Sequence, residues 1–143
     1  SRSHYSKVRY DREMKVFEDI WPKLCALRET VLSLRPVMEV NLKPGETEES
    51  RKKQRAERCI DAYLAVAKAV EHNRPFYPPA IWKELQKLLD LCWSEAVDFG
   101  SSDEMRPWQD YWEKAMANGK AIREQVDNCC EAIRSRLSDF DRV

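Results

Sequence analysis

Five cysteines, two histidines and 25 carboxylate side chains are the groups in this chain that could carry reaction chemistry. Di-metal sites in helical bundles use Glu-x-x-His pairs on facing helices. Neither His4 nor His72 has a glutamate three residues before it. Zinc needs closely spaced Cys and His ligands, and Cys25, Cys59, Cys92, Cys129 and Cys130 include no C-x-x-C pair. A Cys–His nucleophile would require the fold to carry a cysteine to His4 or His72, and nothing local does so. The sharpest redox candidate is the vicinal Cys129–Cys130 pair. Neighbours on a helix point about 100° apart, which opposes an ordinary disulfide. Only three glycines occur, Gly45, Gly100 and Gly119, too scattered to cradle a phosphate, and there is no G-x-S-x-G. Glu18, Glu29, Asp61 and Glu131 fall on amphipathic helices, where carboxylates are mostly surface charges. No catalytic residue, metal ligand or cofactor site emerges, and a non-enzymatic protein is expected.

Three groups could bind rather than react. Arg51, Lys52, Lys53, Arg55 and Arg58 form a basic run suited to nucleic acid or anionic lipid. Against it, Glu48–Lys52 and Glu49–Lys53 are spaced for i,i+4 pairing, and no aromatic residue is interleaved. Lys+Arg and Asp+Glu both number 25, so the basic excess typical of phosphate-binding proteins is absent globally. Trp82, Leu89, Trp93 and Val97 make a second apolar stripe beside the main one of the third helix, either packed on a neighbour or left as an interaction flank. Trp108 and Trp112 lie near the seam of the last helix, where rings of that size fill a core or line a cavity between helices.

The elements that would position these groups are helical. With 35% charged residues and so few glycines, long solvated helices are expected. The last helix is expected from about Met105 to Ser138, and its 3–4 alternating seam is Met105, Trp108, Trp112, Ala115, Gly119, Ile122, Val126, Cys129, Ile133, Arg136 and Phe140. Such a seam needs partner helices. The first helix is expected from about Tyr5 to Arg35, on Phe17, Ile20, Leu24, Leu27, Val31, Leu34 and Met38, with Pro22 kinking or breaking it. Residues 1–9 are polar and basic, and their beginning, ahead of Tyr5, is expected to be disordered or a cloning remnant. Pro44-Gly45 marks a turn, and Thr47 an N-cap, before a second helix from about Glu48 to His72. That helix carries Ala56, Cys59/Ile60, Tyr63, Val66/Ala67 and Val70. Asn73 is expected to close it in a left-handed cap. Phe76 and Tyr77, between prolines, would plug the bundle end or stand out as a docking knob. The third helix is expected from about Pro79 to Phe99, with Gly100 after it and Ser101, Ser102 or Asp103 capping the next. Short connections make consecutive helices antiparallel, so the expected fold is all-α: a single-domain, up-down-up-down four-helix bundle spanning 1–143, with long first and last helices overhanging at one end.

The runs KVFEDIWPKLCALRETVLSLRP, RPFYPPAIWKELQKLLDL and YWEKAMANGKAIREQVDNCCEAIRSRL together resemble a group of uncharacterised bacterial proteins. Those pair an N-terminal membrane anchor with a cytosolic helical region. The resemblance implies a stalked bundle near a membrane, with both termini at the membrane end, and it carries no activity or catalytic residue across. No run here approaches the ~18 apolar residues of a membrane span. The chain begins without Met, so an upstream anchor or partner domain is an expectation. An odd number of cysteines in helical settings reads as reduced thiols in the cytosol. The expected role is a protein-interaction or scaffold module, by partner or by self-association. The alternatives are a small-molecule-binding bundle and binding through the 51–58 run.

Overall fold

A computed structural model describes residues 2–101 and 107–141, apart from the side chains of residues 2–6. The regular structure is helical: α1 (Arg2–Leu32), α2 (Glu48–His72), a 3-10 turn (Arg74–Phe76), α3 (Pro79–Gly100) and α4 (Trp108–Asp141). The first and last helices hold 31 and 34 residues, against 25 and 22 for the middle two. Each of α1 and α3 packs against both α2 and α4, and α1 and α3 touch only lightly across the middle.

The apolar spacing explains the core. Phe17, Ile20, Leu24, Leu27 and Val31 are buried from α1, and Leu34 just past its end, as the 3–4 alternation predicts. From α4, Ala115, Gly119, Ile122, Val126, Cys129 and Ile133 form an unbroken buried seam. Ile81, Leu85, Leu88 and Cys92 come from α3, and Cys59, Val66 and Val70 from α2. Met105, Ser102 and Asp103 lie outside the described residues, as does the side chain of His4.

Several expectations fail, each for a local reason. Helix α1 begins at Arg2 rather than Tyr5, so residues 2–4 are helical too; adding residues to a formed helix is far cheaper than nucleating one. It runs unbroken through Pro22, as the seam continuing on both sides predicts, which removes the rival reading of two helices. Both Pro22 and Glu18 are exposed, so water can satisfy the carbonyl that Pro22 leaves without a donor. The helix ends at Leu32 rather than Arg35, and Met38 is therefore not in the seam but 85% exposed. Asn73 has φ −102°, not a left-handed value, because the chain continues into the 3-10 turn. Gly100 belongs to α3 itself, and Ser101 caps it, its N–H and Oγ both donating to Val97 O. Gly45, at φ 81°, is the one described residue with positive φ, as the Pro44-Gly45 turn requires. Thr47 does cap α2: its hydroxyl accepts from Ser50 N, and Ser50 Oγ accepts from Thr47 N, each at 3.0 Å.

The aromatic-proline turn splits its two rings. Tyr77 is buried, and burial pushes its phenol well above the ordinary range. Phe76 stays half in water beneath Arg12, whose guanidinium sits 4.7 Å from the ring centre.

Candidate functional site

Two surfaces gather the binding-capable side chains. The first is a groove of about 560 Å³ where the end of α1 meets the first third of α4. It is organised by a buried ion pair. Arg35, just past α1, and Glu95, in α3, are both nearly inaccessible to water. Arg35 Nε and Nη2 grip the two Glu95 carboxylate oxygens side by side. Arg35 Nη1 donates to Tyr111 O at 3.0 Å, and the guanidinium lies 4.7 Å from the Tyr111 ring centre. Asn118 Nδ2 adds donations to Glu95 Oε1 at 3.0 Å and Asp98 Oδ2 at 2.9 Å. The pair therefore ties the end of α1 to both α3 and α4, with its charges spent on each other.

Trp112 forms part of the groove wall, and its buried Nε1 has no hydrogen-bond partner among the described residues. Trp108 does not line the groove. The two rings meet edge to face at 5.9 Å, yet Trp108 is 76% exposed, so neither a core place for it nor a cavity shared by both rings is found. The cause is the early stop of α1. Leu32, its last residue, lies opposite Gly119: a Cβ built there would stand 3.5 Å from Leu32 Cδ2. Trp108 sits eleven residues before that level, roughly 16 Å along the helix, where α1 no longer covers α4.

The second surface lies along α2 and α3. Of the anticipated flank, Leu89 is buried, because it follows Leu85 by one turn and shares its core side. Trp82 is half-buried under Arg74, 4.9 Å away, and its Nε1 also lacks a partner among the described residues. Trp93 and Val97 are exposed, Trp93 at 59%. Sequence reasoning missed their companions: Ile60 and Leu64 of α2 are exposed too, and the Tyr63 ring stands 5.7 Å from Trp93. Ile60 had been placed on the seam with Cys59, but adjacent helical residues diverge by about 100°, and Cys59 alone faces inward.

The basic run is divided. Arg55 forms a two-bond grip on Glu39 at 2.9 and 2.8 Å, holding that carboxyl below its usual range. Arg51 approaches the same carboxylate at 3.2 Å and donates to Val40 O at 2.7 Å. Lys52, Lys53 and Arg58 are left on the surface. The expected Glu48–Lys52 and Glu49–Lys53 pairs are not found among the described residues; Glu48 instead lies 4.0 Å from Arg51. The run thus straps the 33–47 connection to α2.

All five cysteines are free thiols. Burial raises Cys59 to about 11 and both Cys92 and Cys129 to about 12, which suits inert core fillers. His72 is exposed. Among the described residues, no cluster of three or more His, Cys, Asp or Glu is placed to hold a metal, and no helix is long and apolar enough to cross a membrane.

The buried polar groups Glu13, Arg35, Glu95 and Gln125 were not anticipated. A signal existed for three of them. Glu95 lies three residues after Cys92 on the main stripe of α3, and Gln125 stands between Ile122 and Val126. Glu13 carried one as well, standing between Tyr10 and Phe17 on the α1 seam, whereas Arg35 gave none, because its partner lies 60 residues away. No protein family, no curated protein and no solved structure matches this chain.

Proposed function

We propose that this chain is a cytoplasmic, non-enzymatic protein-interaction module that pairs with a second copy of itself through the α2–α3 face. The observation that carries the reading is Trp93, largely in water and 5.7 Å from the Tyr63 ring, with Ile60, Leu64 and Val97 exposed on the same two helices. Contiguous apolar patches of this kind mark association surfaces, and tryptophan is enriched at their energetic centres. The rim favours a like partner. Glu57, Asp61 and Lys68 on α2, with Lys83 and Asp90 on α3, are exposed and of both signs. Such a rim can complement itself under a two-fold rotation, and zero net charge leaves no overall repulsion between copies.

The scaffold in this reading is an up-down-up-down antiparallel bundle. Cross-helix contacts support that direction of travel. Glu13 pairs with Arg136 while Leu32 meets Gly119, so α1 and α4 run oppositely. Gln125 bonds Glu84 while Asn118 bonds Glu95, which supports the same for α3 and α4. The Tyr10–Phe140 contact, at 5.2 Å, supports a shared overhang of the two long helices. Five free thiols, three of them in the core, support a reducing compartment. Membrane tethering of longer forms belongs to the proposal on the resemblance alone.

Sedimentation equilibrium tests the pairing. The expected result is a reversible dimer in the micromolar range, and a monomer for the Leu64→Ser, Trp93→Ser double variant, with little change in thermal midpoint because both side chains are already exposed. A wild-type chain that remains monomeric to roughly 100 µM, or a double variant that dimerises equally well, would overturn it.

A further inference from the structure

We infer that the groove between the end of α1 and the first third of α4 binds a soluble anionic amphiphile: a molecule with a carboxylate or similar head and an apolar body. The inference concerns a different face from the dimer surface and does not rest on it. It begins from an inventory of charge. Arg35 and Glu95 line the groove but neutralise one another, with Asn118 completing the shell of the carboxylate. The remaining charged lining groups are Lys120 and Arg123, both cationic. Neither forms an ion pair among the described residues, although ten such pairs occur outside the groove.

Arg123 is also well placed. Its guanidinium nitrogens lie 3.8 and 3.9 Å from where a Cβ of Gly119 would stand, so the head group folds back over the glycine and along the groove. Trp112 Nε1, buried in the wall, is a third donor without an acceptor among the described residues. The side-chain polar groups left unspent are therefore donors, and a ligand that supplies only acceptors complements them. The rest of the lining is apolar, chiefly Leu32, Val37, Ala115 and Met116. A volume near 560 Å³ falls within the range of small-molecule sites. An inorganic anion would leave that apolar wall wet. A neutral or cationic amphiphile would leave the two cations unmatched.

Isothermal titration with decanoate, kept below its micelle concentration, tests the inference. Decyltrimethylammonium and inorganic phosphate serve as matched probes of the tail alone and of the anion alone, and phosphatidylglycerol vesicles as the membrane-bound source of an anionic head. The expected result is saturable decanoate binding that weakens with added salt, and that falls at least about tenfold in the Lys120→Gln, Arg123→Gln double variant, since a charge-assisted bond contributes about 1.5–3 kcal/mol. Trp112→Phe, which keeps a ring and removes the donor, is expected to weaken it further. An unchanged thermal midpoint establishes that the variants fold. Equal binding of the cationic amphiphile, equal binding by the double variant, or retention on vesicles with none of free decanoate would each overturn the assignment.

Discussion

Arg35 and Glu95 show how a single pair of side chains can hold three helices in register. Both charges are removed from water, and each satisfies the other through two parallel bonds. Deleting one partner strands the other in an apolar setting, which typically costs about 3–5 kcal/mol, whereas replacing both with apolar groups is often close to neutral. Glu95→Leu alone is therefore expected to lower stability by that amount in urea titrations, and the Arg35→Met, Glu95→Leu double variant to recover most of it. Additive losses in the double variant would mean that the pair is not coupled. This pair was the part of the site least legible in the sequence. Arg35 follows the α1 seam and reads as a surface cation before Pro36. Its burial depends on a carboxylate 60 residues away, and residue spacing along one helix does not encode contacts at that separation.

The helices themselves were far more legible than their edges. Periodicity identified four helices because each buries one apolar stripe, and a stripe is a local property of the chain. It failed where tertiary packing decides. The α1 stop at Leu32 stripped Met38 and Trp108 of their expected cover, and the α2 stripe proved narrower than Cys59/Ile60 suggested. Gly119 is the informative exception within α4. Its place in the seam suggested either a close approach or a weak point. A Cβ there would meet Leu32 Cδ2 at 3.5 Å, an ordinary contact, so the backbone does not require glycine. Gly119→Ala is expected to raise stability by about 0.5–1 kcal/mol through helix propensity, measured as a higher urea midpoint. A fall in the midpoint would mean that Leu32 cannot accommodate the methyl group.

At the scale of the whole molecule, the core holds thiols from three helices: Cys59 of α2, Cys92 of α3 and Cys129 of α4. Burial is the largest cause raising each of them, to about 11, 12 and 12. A raised thiol keeps its proton in the fold after the unfolded chain has lost it. Stability is therefore full below about pH 8.5 and falls as pH rises toward those folded values, by about 1.4 kcal/mol per pH unit for each thiol. Tyr63, Tyr77 and Tyr111, raised chiefly by burial, act in the same direction above about pH 10. Urea midpoints are expected to drop steeply between pH 8 and pH 10.5, and less steeply in a Cys59→Ala, Cys92→Ala, Cys129→Ala variant. Identical slopes would remove the thiols as the cause.

The meeting of Tyr10 with Phe140 governs how this protein can be joined to anything else. In the antiparallel bundle proposed above, the first turns of α1 and the last turns of α4 share one pole, so a domain joined to either helix end crowds the same spot. In the same proposed arrangement, the Arg35–Glu95 region lies toward the other pole. A cargo there would be presented outward, clear of whatever the chain is fastened to.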